Sequence, residues 1–392
     1  MRIGINLLAM KPGWSGGQEF HVRNLLNALQ ACDAHNEYVM FVRDVDRDDF
    51  ARHAPGFRFV GVKIRPRNRI GRIVAEQTYL PFAATKYRLD VLHSPSYTWP
   101  ILCSVPGVVT IHDMLYKRHP QYIGITKRAF WGALIPLSAR RCRRVLTDSE
   151  ASKRDIVELL RIDPSKVVVT PLALDKRIEV NIDRAMVDEA CGRYGIRRPY
   201  ILSVGGLMPH KNSGALLRAL SRLRKLGDTK NINLVITGND EHGERRALET
   251  LAAELKLDGS LKLPGYVCDA DLPALYAGAA VYASASYLEG FGLTVLEAMN
   301  HGIPVVASNC ASLPEVVGNA AAIVAPDDYD SLAEALHRAI VDDSYRQVMV
   351  ERGRVRVQQF SWERTAKLTL QAYREAVGDS DFGIVTASLS DE

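Results

Sequence analysis

The chain has no apolar run near the ~18 residues a membrane-spanning helix needs, which excludes a helical integral membrane protein. Its opening, Met1-Arg2-Ile3-Gly4-Ile5-Asn6, reads directly as a strand and not as a signal peptide. Cysteine is sparse. Cys32, Cys103, Cys142, Cys191, Cys268 and Cys310 have neither metal-ligand nor disulfide spacing, so free thiols in a reducing cytosol are expected. There is no Gly-x-Gly-x-x-Gly fingerprint, no convincing residue-level repeat and no recognisable nucleic-acid module.

What is present is a globular composition: 47% hydrophobic and 24% charged residues, enough to build packed cores. At 392 residues one ordinary core is too few, so two domains are expected. The net charge of +5 hides an asymmetry. Residues 1–177 hold 28 Lys+Arg against 16 Asp+Glu (+12), and the remainder holds 22 against 29 (−7). Two halves of opposite sign point to different partners.

A strand at 2–8 leads to Gly16-Gly17 and then to a helical pattern with Phe20, Val22, Leu25, Leu26 and Leu29 apolar. Apolar runs follow at 38–42, 57–62, 91–92, 107–111 and 145–146, with helical stretches between several of them. The same pattern restarts at 200–205 and continues at 233–238, 261–266, 280–283 and 304–307. Such alternation predicts parallel sheets covered by helices. The join is expected in the charged stretch 172–198, giving domains at 1–178 and 179–361. A last helix is expected over 362–378, with Ala366, Leu368, Leu370, Tyr373 and Val377 apolar, and a mobile polar tail over 379–392.

The most informative window is Glu289-Gly290-Phe291-Gly292-Leu293-Thr294-Val295-Leu296-Glu297. Its glycines let backbone approach a ligand closely. The helix predicted after them directs unpaired N–H groups and a positive dipole end at an anion. Glu289 precedes the helix and Glu297 lies about a turn inside it, so two carboxylates can face one pocket. A diphosphate between two polyhydroxyl groups satisfies such a site, and a nucleotide-sugar is such a molecule. A glycine turn before an amphipathic helix can equally be scaffold.

Around the window, Glu289-Gly-Phe-Gly-Leu-x3-Glu-Ala-Met, Gly302-Ile-Pro-Val-Val and Leu313-Pro-Glu-Val-Val-Gly-Asn-Ala resemble the donor-binding half of family 4 glycosyltransferases. The resemblance continues through Val204-Gly-Gly-Leu-Met-Pro-His-Lys-Asn212, Leu234-Val-Ile-Thr-Gly238, Gly265-Tyr-Val267 and Phe360-Ser-Trp362. The first half matches more loosely, at Gly16-Gly17, His112-Asp113 and Thr147-Asp-Ser-Glu150.

The resemblance implies an α/β chain of the GT-B fold: two Rossmann-like domains facing a central cleft, with the last helix packing back on the first domain. It implies a retaining enzyme whose first domain takes the acceptor and whose second takes the nucleotide-sugar. Glu289 would grip sugar hydroxyls and Glu297 the ribose. Lys211 and the N–H groups around Gly290, Phe291, Gly292, Leu293 and Thr294 would take the diphosphate. Tyr266 and Val267 would lie at the base, Gly16 and Gly17 against the phosphates and sugar, and His112 beside the reacting carbon. Asp113 would orient His112 or contact the acceptor. His93 and Ser94 share that rim without a specific signal. Where the family usually has arginines, this chain has Gly206 and His210.

Asp-x-Asp occurs at 44–46, 46–48 and 269–271, in a polar loop and at a predicted helix start, so no metal or other cofactor is expected. Asp269 and Asp271 read as helix-start residues, as does Glu315. The donor is expected to be a GDP- or UDP-sugar, with a lean to GDP-mannose from the resemblance to bacterial polysaccharide enzymes. The acceptor is expected to be a glycan or a lipid-diphosphate-linked glycan, and no nucleic acid. Basic stretches at 63–72 and 127–144, the latter interleaved with Phe130, Trp131, Leu134, Ile135 and Leu137, fit an anionic membrane surface as well as a solvated face. The expected location is the cytoplasm, peripheral to the inner face of the plasma membrane. A nucleotide-sugar epimerase or hydrolase, or a non-catalytic binding subunit, would share most of these signals.

Overall fold

The computed structural model describes residues 1–13, 16–65, 69–175 and 182–379. Residues 66–68 of the first basic stretch and 380–392 of the expected tail lie outside the described residues. The chain divides into two compact units, Met1–Leu172 with Ser361–Glu392, and Ala173–Phe360. The first unit thus ends at Leu172, short of the expected 178.

The first unit holds a wholly parallel sheet of β1 (Arg2–Asn6), β2 (Glu37–Arg43), β3 (Arg58–Val62), β4 (Val91–Ser94), β5 (Gly107–Thr110), β6 (Arg144–Thr147) and β7 (Val167–Val169), ordered β3-β2-β1-β4-β5-β6-β7. The central strands are buried on both faces, so they read in sequence as unbroken apolar runs. The second unit holds β8 (Tyr200–Val204), β9 (Asn233–Thr237), β10 (Leu261–Gly265), β11 (Val281–Ser284), β12 (Val305–Ser308) and β13 (Ala322–Val324), parallel again and ordered β10-β9-β8-β11-β12-β13. The sequence reading misses β7 and β13. Each is a three-residue edge strand, paired on one side only and too short to show a run.

Both sheets reverse their direction of growth once, between β1 and β4 and between β8 and β11. Loops leaving the carboxyl ends of strands at such a reversal form the ligand crevice of α/β folds. Gly16-Gly17 follows β1, Gly205-Gly206 follows β8, and the 289–297 window follows β11.

The helix Trp362–Val377 belongs to the first unit. Ser361 caps its start, its hydroxyl accepting from Arg364 N at 3.2 Å, and Gly378 ends it in the left-handed region at φ 87°. Its apolar face meets the helix Gly16–Cys32, with Trp362 6.0 Å edge-on from Phe20. Three polar ties fix its register. Tyr373 Oη lies 2.7 Å from His93 Nδ1, Arg144 pairs with Glu375 at 2.8 Å, and Thr365 Oγ1 donates to the Pro171 carbonyl.

In the second unit the ends of β8, β9 and β10 pass one another backbone to backbone. Gly238 has φ +120°, and a Cβ there would stand 2.2 Å from Gly206 N and 2.3 Å from Gly206 Cα. Gly206 N donates to Thr237 O at 3.0 Å, and Gly238 N to Gly265 O at 2.7 Å. Gly238→Ala combines a strained φ with a clash against unyielding backbone. We expect it to destabilise the second unit by about 2–5 kcal/mol in urea unfolding. A midpoint equal to wild type would show that this contact is not needed.

Candidate functional site

In the second unit, Gly205 (φ +130°) and Gly206 (φ +85°) bend the chain as it leaves β8. A Cβ at Gly205 would approach Lys211 Nζ to 3.1 Å, so the glycine leaves room for that side chain. The turn Pro209–Lys211 ends at Asn212 in the left-handed region, and the Asn212 amide donates to Pro326 O at 3.1 Å. These constraints bring Lys211 Nζ within 2.6 Å of Glu289 Oε1. The side chains are 19% and 13% exposed, so the pair is mostly removed from water. Ser286 Oγ donates to the same carboxylate oxygen at 2.7 Å. Burial pushes the Glu289 carboxyl up, but Lys211, Ser286 and His210 together outweigh it and hold it below its ordinary value.

The loop carrying Glu289 is itself braced. Ser312 Oγ lies 2.9 Å from Glu289 O and 2.8 Å from Phe291 O, and Tyr287 N donates to His210 O at 2.8 Å. The last bond joins the loops that follow β8 and β11. The Phe291 ring is buried edge-on against Phe360 at 5.5 Å, so its side chain is committed to packing. Gly292 (φ +105°) starts the helix Leu293–Asn300, and no side chain caps that start. Among the described residues its first N–H groups have no side-chain acceptor, and they present the positive end of the helix dipole.

Glu297, on that helix, receives a hydrogen bond from the Tyr276 hydroxyl at 2.6 Å. Burial, aided by the charge of Asp269, raises its carboxyl to about 7 against the opposing Tyr276 bond. Tyr276 is fully buried, stacked on His301 at 5.4 Å and tilted against Tyr282 at 5.9 Å. The Tyr282 phenol, pushed up mainly by burial, also feels the charges of both Glu289 and Glu297. The two carboxylates therefore share one neighbour, and they carry opposite shifts. Val267 is buried, while Tyr266 is 62% exposed with its hydroxyl 3.3 Å from Asp269.

In the first unit, His112 follows β5 and is 7% exposed. Its Nδ1 lies 2.8 Å from Asp148 Oδ2 and its Nε2 lies 3.3 Å from Pro95 O. Both partners only accept, so both contacts favour a ring protonated on each nitrogen. Burial lowers the His112 pKa, but Asp148, aided by Asp113 and the Pro95 carbonyl, more than reverses this and the net shift is upward. His21 packs edge-on at 5.1 Å, and burial drives it down to about 3. Beside His112, His21 Nδ1 and Asp148 Oδ1 are both buried without a hydrogen-bond partner among the described residues. Such orphaned polar atoms are rare in ordinary cores. Gly16, with φ +50°, and Gly17 open the first turn of the helix after β1, with no atom of the described residues within 4 Å of where their Cβ atoms would be.

Several sequence expectations change. Asp113 does not orient His112. Its carboxylate takes the Tyr97 hydroxyl at 2.9 Å and Leu115 N at 2.9 Å, and Asp148 orients the histidine instead. The only sequence signal for Asp148 was its place in Thr147-Asp-Ser-Glu150. His93 is a fully buried structural residue between Tyr373 and Thr110, not a rim residue. Asp271 precedes a helix but caps nothing with its side chain, which binds Arg193 at 2.6 Å and Tyr194 at 2.8 Å. Lys211 and Glu289, read as separate phosphate and sugar contacts, are one ion pair. Ser286, Ser312 and Tyr276 were not singled out, because small hydroxyls and a core tyrosine carry no spacing signal.

Comparison with known proteins places these features in a family. Residues 15–177 match the model described as Glycosyltransferase Family 4, and residues 194–356 the model described as Glycosyl transferases group 1. The O-antigen chain mannosyltransferase B of Escherichia coli is 31% identical over 296 residues, 75% of this chain and 76% of that protein. The serotype-specific mannosyltransferase WbdA of Escherichia coli is 27% identical over 92% of this chain, which spans only 46% of that relative's length. Among solved structures, sucrose-phosphate synthase from Thermosynechococcus elongatus superposes with a TM-score of 0.76 at 22% identity, covering 97% of this chain and all of the other. Anabaena HepE in complex with UDP and glucose gives 0.72 at 18%, covering 96% and 100%.

The raised Glu297 carboxyl has a measurable consequence without any ligand. The folded state holds its proton more tightly than the unfolded chain, whose carboxyl keeps the ordinary value of 4.5. Its stabilising contribution is complete below the unfolded value and is lost as pH rises to about 7. Glu297→Gln keeps an acceptor for Tyr276 without the charge. Relative to wild type it should gain about 1–3 kcal/mol in urea unfolding between pH ~4.5 and ~8. A pH-independent difference would contradict the assigned environment.

Proposed function

The chain belongs to the family 4 (group 1) glycosyltransferases, and on that premise we propose that it transfers a hexose, with mannose from GDP-mannose as the first donor to test, from a nucleoside diphosphate to a glycan or lipid-linked glycan hydroxyl with retention of configuration. The observation that carries this reading is the Lys211–Glu289 pair, closed to 2.6 Å beside the uncapped start of the helix Leu293–Asn300, with Glu297 about a turn further in. The mannosyltransferase names of the relatives support the sugar, and the UDP and glucose in HepE support a nucleotide-sugar site on this fold.

In this mechanism the acceptor oxygen forms the new bond at the anomeric carbon on the face from which the diphosphate leaves. The C–O bond to the diphosphate breaks, and the acceptor proton passes to the leaving phosphate oxygen. Lys211 has three N–H donors and spends one on Glu289, so the others can meet developing negative charge on the phosphate. The helix N–H groups act on the same charge. Glu289, held ionised, accepts sugar hydroxyls, and Glu297 accepts those of the ribose. His112, its pKa raised mainly by Asp148, serves the sugar side, where Nε2 exchanges the long 3.3 Å contact with the Pro95 carbonyl for a sugar hydroxyl. No metal ion is required in this scheme, so chelation with EDTA should leave turnover unchanged.

Slow sugar release without acceptor distinguishes the alternatives. An epimerase or hydrolase converts the donor fully without one, and a non-catalytic binding subunit does nothing. Membrane attachment is part of the proposal. Ile125 and Leu137 are 76% and 46% exposed on the helix Ile125–Arg141, where Lys127 lies over Trp131 at 4.2 Å. Equal flotation with neutral and anionic liposomes would argue against it.

Two further outcomes test the chemistry. In a thermal-shift panel of GDP-, UDP-, ADP- and dTDP-sugars, one nucleotide series should raise the melting temperature, and Glu297→Ala should abolish that rise with the fold intact. No response to any of the four would remove the donor-site reading. Asp148→Asn should lower the His112 pKa and cut turnover by about 10- to 1000-fold while donor affinity stays the same. Near-normal rates would take His112 and Asp148 out of the mechanism.

A further inference from the structure

The first unit carries a second polar cluster that the scheme above leaves unused. Asn6 ends β1 and Ser94 ends β4, the two strands that flank the sheet's reversal. The Asn6 amide donates to Ser94 Oγ at 3.1 Å and reaches Glu76 Oε1 at 3.5 Å. Arg72 Nη1 donates to that same oxygen at 2.7 Å. The Glu76 side chain is 4% exposed and that of Arg72 is 21%. Glu76 sits in a π turn, Ala75–Tyr79, inserted between the helical segments Arg69–Val74 and Leu80–Lys86. The turn is held by Gln77, which donates to Trp99 O at 3.3 Å and accepts from Ile101 N at 3.0 Å.

Packing alone does not account for this arrangement. A buried ion pair is a weak stabiliser, and apolar side chains of equal volume often do as well or better. A π turn departs from regular helical hydrogen bonding, and such turns recur at functional sites. Among the described residues, Arg72 Nε and Nη2 and Glu76 Oε2 make no hydrogen bond. The partly exposed guanidinium and its carboxylate thus combine unused donors with an unused acceptor. They do so at the carboxyl rim of the sheet, at the reversal point where α/β folds take ligands. A vicinal diol needs this combination, one oxygen accepting from a guanidinium and the next donating to a carboxylate.

We infer that Arg72 and Glu76 form a hexopyranoside subsite of the first unit, the place where the acceptor sugar is gripped by two neighbouring hydroxyls. This rests on the glycosyl-transfer reading for its role, but the subsite itself can be tested without turnover. Methyl α-D-mannopyranoside is titrated by saturation-transfer NMR onto the full chain and onto Arg72→Met and Glu76→Gln, with GDP and UDP titrated in parallel. Weak millimolar binding to wild type is expected, weakened about tenfold or more in both variants, with nucleotide affinity unchanged. Equal glycoside affinity in all three proteins overturns the inference, as does no glycoside signal with wild type. Failure of both nucleotides to bind wild type instead overturns the donor-site reading, and the glycoside arm still decides the subsite. If Glu76→Gln does not fold, the more exposed Arg72→Met decides alone.

Discussion

The second unit is organised around one buried ion pair. Lys211 and Glu289 come from loops that leave β8 and β11, strands far apart in sequence and adjacent in the sheet. Holding them at 2.6 Å requires glycines where the chain bends, a left-handed Asn212, and serine hydroxyls that fix the Glu289 loop from below. Much of the local sequence answers to that requirement. Gly205 clears the lysine, Gly206 and Gly238 let two strand ends pass, and Tyr287 N ties one loop to the other. A pair mostly removed from water is a poor choice for stability alone. It is a good choice where a fixed positive charge must stand ready for an anion without reorganising.

The first unit solves a parallel problem with a histidine. His112 lies among His21, Tyr97, Pro95 and Asp148, and the Asp148 carboxylate is the largest of the influences that raise its pKa against burial, ahead of Asp113 and the Pro95 carbonyl. Without Asp148, burial would drive His112 downward, as it does His21 and His93, which both fall to about 3. A residue on the next strand's loop thus does most to lift the ring's pKa. The pairing is invisible in sequence, where Asp113 stands directly beside the histidine and Asp148 does not.

That contrast explains how much could be read beforehand. Parallel strands buried on both faces announce themselves as apolar runs, so the two α/β units and the closing helix were legible. The edge strands β7 and β13 were not, because three residues paired on one side leave little trace. In the site, the glycine-flanked acids are legible through the motifs around them, which resemble a donor-binding half; their spacing alone fits scaffold equally well. Asp148, Ser286, Ser312 and Tyr276 were not, since each acts through a contact between segments distant in sequence. The Arg72–Glu76 pair shows the same limit. An Arg-x-x-x-Glu spacing is commonplace on exposed helices, and only the fold shows that this one is buried at a sheet reversal.

Burial raises both acids of the second unit, but their neighbours send the net shifts in opposite directions. Glu289 has a lysine, and its charge is secured at neutral pH. Among the described residues Glu297 has only a tyrosine hydroxyl, and its carboxyl stays near half-protonated at about pH 7. Environments that separate two carboxyls in this way assign them different tasks. A ligand that offers Glu297 two further hydroxyl donors stabilises its charged form, because hydrogen bonds to a carboxylate lower its pKa. Binding there therefore releases a proton, whereas contact with Glu289 does not. Proton release on binding is thus a property that separates a ligand seated on both acids from one held by the ion pair alone.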